Sequence, residues 1–346
     1  MFDLSEEYRQ VASTHDVDWV ELSGSSVLVT GATGLVGSLF VRALLERNRG
    51  FGLGITVYAL VRSEEKARRA FEGYGPSDGL HFVVQDVCEL SLDVSCDYIL
   101  HAACPTASAF FTSHPAQTAD AIVMGTRAVL EYARRCGCRS VVYVSSMEVY
   151  GEGNHEPGLA HALTESETGI VDPLAVRSCY PEGKRMAENY CAAYASEYGV
   201  PVKIARLAQT FGPGVPKDDK RLFAQIARSA MLGDDLVLKT TGASTRMYVY
   251  TADAIRALLA VLLKGEKGSA YNVANPATYC SVREMAELVL ERFSGGRAHV
   301  VVDVDPNAPY PPEHHLPLDV SRLESLGWAP TTSLEGMYEN LICYLS

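Results

Sequence analysis

The sequence predicts an α/β fold: a doubly wound parallel sheet followed by a smaller C-terminal α/β lobe. Three observations lead there. Val/Ile-rich runs alternate with amphipathic helical stretches up to about residue 206, the pattern of a parallel sheet covered on both faces. A glycine triplet stands directly after the first such run, in "VLVTGATGLVGSLF". From residue 207 the texture shifts to a Gly/Pro loop, "TFGPGVPKDD", and to shorter elements.

The elements follow in order. Residues 1–24 read as a helix and linker, with helical spacing in "SEEYRQVA" and a break at "LSGS". "SVLVTG" is a buried strand, "LVGSLFVRALLER" a helix, "ITVYALV" a strand and "EEKARRAFEGY" a helix. "HFVVQD" and "DYILHAA" are strands, "DAIVMGTRAVLEYARRCG" is a helix and "SVVYVSS" a strand. The later part includes "AYNVA", "SVREMAELVLERF" and "HVVVDV".

The bulk numbers exclude several classes. At 346 residues, 47% hydrophobic and 21% charged, the chain has the composition of a globular protein. The acidic start "MFDLSEEYRQ" has neither the basic nor the apolar region of a targeting segment. No window reaches the roughly 18 uncharged apolar residues of a membrane span, so a cytoplasmic location is expected. Nine scattered cysteines read as reduced packing thiols, and Cys136 and Cys138 in "CGC" are too close for a zinc knuckle. A net charge of −12 argues against nucleic acid and anionic membrane as partners. Any anionic ligand must therefore meet a local cluster of cations. Glu313 to His315, "EHH", is expected to be a surface loop rather than a metal site.

Gly31, Gly34 and Gly37 lie between the first strand and its helix. Glycines are required there for a tight turn, for close approach of backbone N–H groups to a pyrophosphate, and for helix-to-strand packing. Thr33 and Leu35 share this turn. The site is thus expected to hold NAD or NADP on a Rossmann-like sheet. The second strand ends in Val61 and Arg62 where an acidic residue would accept a free ribose 2′-OH. Arg62 pairs well with a 2′-phosphate, which leans the reading to NADP, although Glu64 and Glu65 stand nearby. Asp86 and Val87 end the third strand where adenine is read; capping a turn is the alternative for Asp86. Residues 25–206 are expected to form the NAD(P)-binding domain, with 245–262 returning to it and 207–346 forming mainly a substrate-binding lobe.

The segment "RSCYPEGKRMAENYC" places Lys184 one helical turn after Tyr180. A phenol of ordinary pKa, about 10, is a poor base at neutral pH. A nearby ammonium and a cationic nicotinamide both favour the phenolate. Pro181 suits a first helical turn, which puts Tyr180 at the rim where ligands arrive. "VVYVSSMEVYG" ends on Ser145 and Ser146 at the same carboxyl edge, followed by Met147 and Glu148.

These motifs resemble the extended short-chain dehydrogenase/reductases that modify nucleotide sugars. The resemblance runs from "VTGATGLVG" through "HAAC", "SSMEVYG", "YPEGK", "RLAQTFGPG" and "TRMYVYTAD" to "LDVSRLESLGWAP". "RSCYPEGKRMAE", "SSMEVYG" and the "TR" of "TRMYVY" look most like UDP-glucuronate decarboxylases, with 4,6-dehydratases and 4-epimerases as close relatives. The resemblance implies Tyr180 as the base at the sugar 4-OH, Lys184 as ribose holder and tyrosine tuner, Ser146 as the third member, and Glu148 near C5. It further implies Ala102 and Ala103 of "HAAC" at the cofactor, and Ser146, Met147, Gln209 and Arg246 at the substrate, Arg246 on its phosphates. A homodimer formed through the helix from about 117 to 136 and the helix after Tyr180 is also implied.

The departures bear on the reaction. Met147 stands where dehydratases carry an acid, which disfavours 4,6-dehydration. Ile122 and Gln209 stand in slots where the family has Asn. The leading expectation is a nucleotide-sugar enzyme of epimerase or decarboxylase type, oxidising C4 transiently. The alternatives are an NADPH-dependent reductase of a 4-keto sugar or other carbonyl, and a catalytically silent NAD(P)-binding sensor or scaffold.

Overall fold

The computed structural model describes residues 2–106, 108–151, 161–305 and 313–346. Its main sheet takes β1 (Ser26–Thr30), β2 (Thr56–Val61), β3 (Leu80–Val84), β4 (Tyr98–His101), β5 (Ser140–Ser146) and β6 (Val202–Leu207). Later come β7 (Gln209–Phe211), β8 (Leu236–Leu238), β9 (Thr245–Tyr250), β10 (Ala270–Val273), β11 (Asn275–Ser281), β12 (Val300–Val302) and β13 (His315–Leu316). The seven-stranded sheet has the order β10-β6-β5-β4-β1-β2-β3, and every adjacent pair is parallel. Every residue of β4 and β6 is buried, as both-face coverage requires. The chain builds outward from β1 to β3 and then restarts at β4 on the other side of β1. The crevice beyond the carboxyl ends of β1 and β4 is therefore the topological switch point, where open α/β sheets bind ligands.

The helices α1 (Leu4–Ser13), α2 (Leu35–Phe51), α3 (Glu64–Ala70), α4 (Ser108–Ser113), α5 (Pro115–Cys136), α6 (Cys179–Glu197), α7 (Leu222–Leu232) and α8 (Thr251–Lys264) divide between the layers. α1 packs on α2 and α8, and α8 lies on β5 and β6. Their core includes Phe40, Leu44, Leu258 and Trp328. α5 and α6 pack together on the opposite face over Val129, Tyr132, Val141 and Cys191. Met124 on α5 and Met186 on α6 stay exposed. Among the described residues, no helix is long and apolar enough to cross a membrane.

A second, four-stranded sheet is centred on β9, with β11 antiparallel to it and β7 and β13 parallel. Phe211, Phe223, Tyr248 and Tyr338 fill its core, with Phe211 stacked on Phe223 at 4.7 Å. Two features differ from the sequence reading. β10, grouped there with the short later elements, is the outer strand of the main sheet. β9 pairs within the small sheet, while α8, which follows it directly, covers the large one. Asp253 on α8 makes that crossing firm. Fully buried, it accepts hydrogen bonds from the Thr331 hydroxyl at 2.7 Å, the Thr332 N–H at 3.0 Å and Arg256 at 2.8 Å, and Arg256 also holds Asp16 of the N-terminal linker.

Candidate active site

The glycine turn lies at the switch point. Gly31 has φ +66°, and a Cβ there would stand 2.7 Å from the Ala102 carbonyl oxygen and 2.8 Å from the Ala103 Cα. Both its conformation and the closeness of β4's exit demand glycine. Gly37 is held by a different contact, since its Cβ would lie 2.3 Å from the Gly31 carbonyl oxygen. Gly34 is the exception. Its φ is ordinary, and the nearest contact of its missing Cβ among the described residues, chain neighbours aside, is the Gly31 oxygen at 3.3 Å. It stands exposed beside Thr33 at the crest of the turn, as N-cap of α2, and no side chain caps that helix. The first N–H groups of α2, Leu35 among them, thus face outward where an anion would meet them.

Behind this turn runs a buried hydrogen-bond chain. The Ala103 N–H donates to Thr30 Oγ1 at 3.1 Å, and Thr30 Oγ1 lies 2.7 Å from His101 Nδ1. His101 Nε2 lies 3.1 Å from Thr126 Oγ1, which donates to the Ile122 carbonyl at 2.6 Å. The only consistent assignment gives each hydroxyl one hydrogen to pass along, so His101 is neutral with its proton on Nε2. Burial, then the Lys184 charge, brings the imidazole down to about 3. Ile122, standing where the family has Asn, is fully buried and packs against Gly183 of α6.

The catalytic candidates meet at the carboxyl edge of β5. Ser146 ends that strand and caps the short turn Met147–Tyr150, accepting from the Glu148 N–H at 3.2 Å. The Ser146 hydroxyl also lies near enough to Tyr180 to favour its phenolate. Tyr180 lies in the first turn of α6, nearly buried, with its ring stacked on Phe111 at 4.4 Å. The Lys184 ammonium donates to the Val144 carbonyl at 2.7 Å and stands 5.8 Å from the Tyr180 ring centre. Glu148 is partly exposed and meets Arg177 at 3.5 Å. Met147 is buried behind this edge.

In the protein alone, burial sets the electrostatics of Tyr180. Burial holds the Tyr180 phenol well above its ordinary value, and the charges of Cys104 and Glu148 add to this. The Ser146 hydroxyl and the Arg177 cation pull the other way. Without a cationic ring beside it, Tyr180 is a protonated phenol.

The remaining candidates are more dispersed. Arg62 is exposed after β2 and forms no ion pair among the described residues, because Glu64 pairs with Arg68 and Glu65 with Arg69. Asp86 caps the next turn, accepting from the Cys88 N–H at 2.9 Å, and Val87 is turned against Gly125 of α5. Gln209 opens β7, paired with Tyr248 of β9. Arg246 on β9 lies 3.1 Å from His314 Nε2, and its Nε is buried without a hydrogen-bond partner among the described residues. His315, expected in a surface loop, belongs to β13 and bonds Thr245 at 2.9 Å. Sequence reasoning missed Phe111, Arg177 and Cys104. Arg177 stood in plain view three residues before Tyr180, whereas nothing local marks Phe111.

Residues 27–274 match the NAD dependent epimerase/dehydratase family. The chain belongs to that family. UDP-glucuronic acid decarboxylase 6 of Arabidopsis thaliana is 33% identical over 317 residues, which span 91% of this chain and 87% of that protein. The UDP-glucuronic acid 4-epimerase from Bacillus cereus, solved with UDP-glucuronic acid and NAD, shares the fold with a TM-score of 0.75 at 23% identity, over 92% of this chain and 98% of its own. A dTDP-glucose 4,6-dehydratase from Streptomyces venezuelae with NAD bound gives 0.74 at 25% identity, over 92% and 96%.

The turn fits the dinucleotide of an epimerase/dehydratase family member. A Cβ at Gly34 would meet the protein less closely than one at Gly31 or Gly37, so the space beside it suits a ligand. Two substitutions separate the roles. Gly34→Ala is expected to lower the urea midpoint much less than Gly37→Ala does while weakening cofactor binding measured by calorimetry. Gly37→Ala is expected to destabilise the fold by about 1–3 kcal/mol through overpacking. Equal loss of stability in both variants would contradict this division.

Proposed function

We propose that the protein acts on a nucleotide-linked hexuronate, oxidising C4 with bound NAD(P)+, releasing the C5 carboxylate as CO2 and restoring C4 before product leaves. The observation that carries this reading is the meeting of Ser146 and Tyr180 at one edge with the Glu148–Arg177 pair beside them. The likeness to decarboxylases over most of the chain supports it.

Bound nicotinamide supplies the hydride acceptor and, as a cation, the field that favours the phenolate. Tyr180 takes the proton of the 4-OH while Ser146 holds that hydroxyl in line. Lys184, anchored on Val144, keeps a positive charge below the tyrosine. With a ketone at C4, the C5 carboxylate belongs to a β-keto acid, whose C–C bond breaks as the electrons move into the enolate. Glu148, or water that it orders, returns a proton to C5, and Tyr180 returns its proton to O4 when hydride comes back. Arg246 supplies the cation for the diphosphate. Met147 carries no proton for a leaving hydroxyl, in keeping with a route other than dehydration.

The test is incubation with UDP-glucuronate. CO2 and a UDP-pentose are expected in equal amounts, with no net change in reduced cofactor. Tyr180→Phe is expected to lower kcat roughly 10²–10⁴-fold. A product that keeps its carboxylate would replace decarboxylation with epimerisation, and no turnover of any nucleotide sugar would overturn the reading.

A second reading rests on Arg62. An exposed guanidinium after β2, with its acidic neighbours already engaged, supports NADP as cofactor and with it an NADPH-dependent reductase. Arg62→Ala is expected to raise KM for NADP+ roughly tenfold and leave that for NAD+ near its starting value. An equal effect on both would remove the preference, and stoichiometric NADPH consumption with a 4-keto sugar would favour the reductase.

A further inference from the structure

The proposed chemistry leaves the close-set thiols of "CGC" without a role. They lie where α5 ends and β5 begins, at the amino-terminal edge of the main sheet, opposite Tyr180. α5 stops at Cys136, and Gly137 follows with φ +64°. The N–H groups of Gly137 and Cys138 both bond the Ala133 carbonyl, at 3.1 and 3.4 Å. This reversal turns Cys138 inward, 6% exposed, into the core shared with Tyr132 and Ala133. Cys136 stays half-buried, with its Sγ 3.6 Å from the Ala133 oxygen and 3.7 Å from the Cys96 oxygen.

The two thiols, either side of the Gly137 reversal, lie near enough to shift each other, which lowers the pKa of Cys136 and raises that of Cys138. Burial raises the Cys138 thiol further, while Lys203, a buried ammonium bonded to Ser140 Oγ at 2.7 Å, pulls the other way. Cys96 packs alongside, but burial pushes its thiol up to about 11. Cys136 is therefore the more accessible and more readily ionised thiol, and Cys138, two residues on across the reversal, is placed to resolve what forms.

We propose that Cys136 and Cys138 form a thiol–disulfide pair whose oxidant is a hydroperoxide, with Cys136 attacking and Cys138 resolving. The Cys136 sulfur attacks the peroxide oxygen, the O–O bond breaks, and a sulfenic acid forms as water or an alcohol leaves. The Cys138 sulfur then attacks the Cys136 sulfur, the S–O bond breaks, and water leaves with the thiol proton. Two electrons pass from the thiols to the peroxide, and one S–S bond remains.

Trypsin isolates the pair, because Arg135 and Arg139 bracket a tetrapeptide with these two thiols alone. The folded full-length chain is treated with hydrogen peroxide, blocked with iodoacetamide, digested and weighed. The expected tetrapeptide is lighter by two hydrogens, free of alkylation, and restored by dithiothreitol. Cys138→Ser is expected to stall at a Cys136 sulfenic acid captured by dimedone, and Cys136→Ser to give neither product. A wild-type tetrapeptide alkylated at both cysteines after peroxide overturns the proposal. So does dimedone on wild-type Cys136 at the yield seen in Cys138→Ser.

Discussion

The arrangement depends on one buried hydrogen-bond chain, from the Ala103 N–H through Thr30, His101 and Thr126 to the Ile122 carbonyl. It joins the ends of β1 and β4 to α5 at the point where the sheet reverses its winding. Every polar atom along it has a partner, which low dielectric demands of a buried network. It also sets the spacing at which Gly31 passes against Ala102 and Ala103, so the phosphate turn and the sheet edge are one rigid unit. A neutral His101 is a condition of this geometry: a second ring proton would face the hydroxyl hydrogen of Thr30 and the charge of Lys184.

The electrostatics of the site follow from burial. The chain carries a net charge of −12, yet the crevice offers an uncapped helix N-terminus, Lys184 and Arg177, with Arg246 beyond them. Local cations in an acidic protein give selectivity for an anionic ligand without general affinity for polyanions. The same burial that positions Tyr180 also holds its proton. In the proposed mechanism the phenol becomes a base only in a charged surrounding that the ligand helps to complete, which ties proton removal to occupancy of the site.

Much of this was legible in the sequence because it is local. Parallel strands buried on both faces read as continuous apolar runs, and the glycine turn and the Tyr180–Lys184 spacing each lie within a few residues. What was hidden is long-range. β10 is four residues long and carries no period of its own, so only its pairing with β6 reveals it as part of the main sheet. The stacking of Phe111 on Tyr180 joins segments with no shared pattern. The burial of Tyr180, which raises its phenol in the protein alone, was hidden because the spacing shows the lysine but not the depth. Glu188 reads as an ordinary helical acid, yet it is buried, receives the Ser145 hydroxyl at 2.5 Å and pairs with Arg206 at 2.7 Å beside β5.

The central claim is that hydride leaves C4 and returns to it within one binding event. A single turnover of a UDP-hexuronate deuterated at C4, run in ordinary water and read by NMR of the product, tests it most directly. The account predicts deuterium kept at C4 and a solvent hydrogen gained at C5. Deuterium lost from C4, or a solvent hydrogen found there, would contradict it.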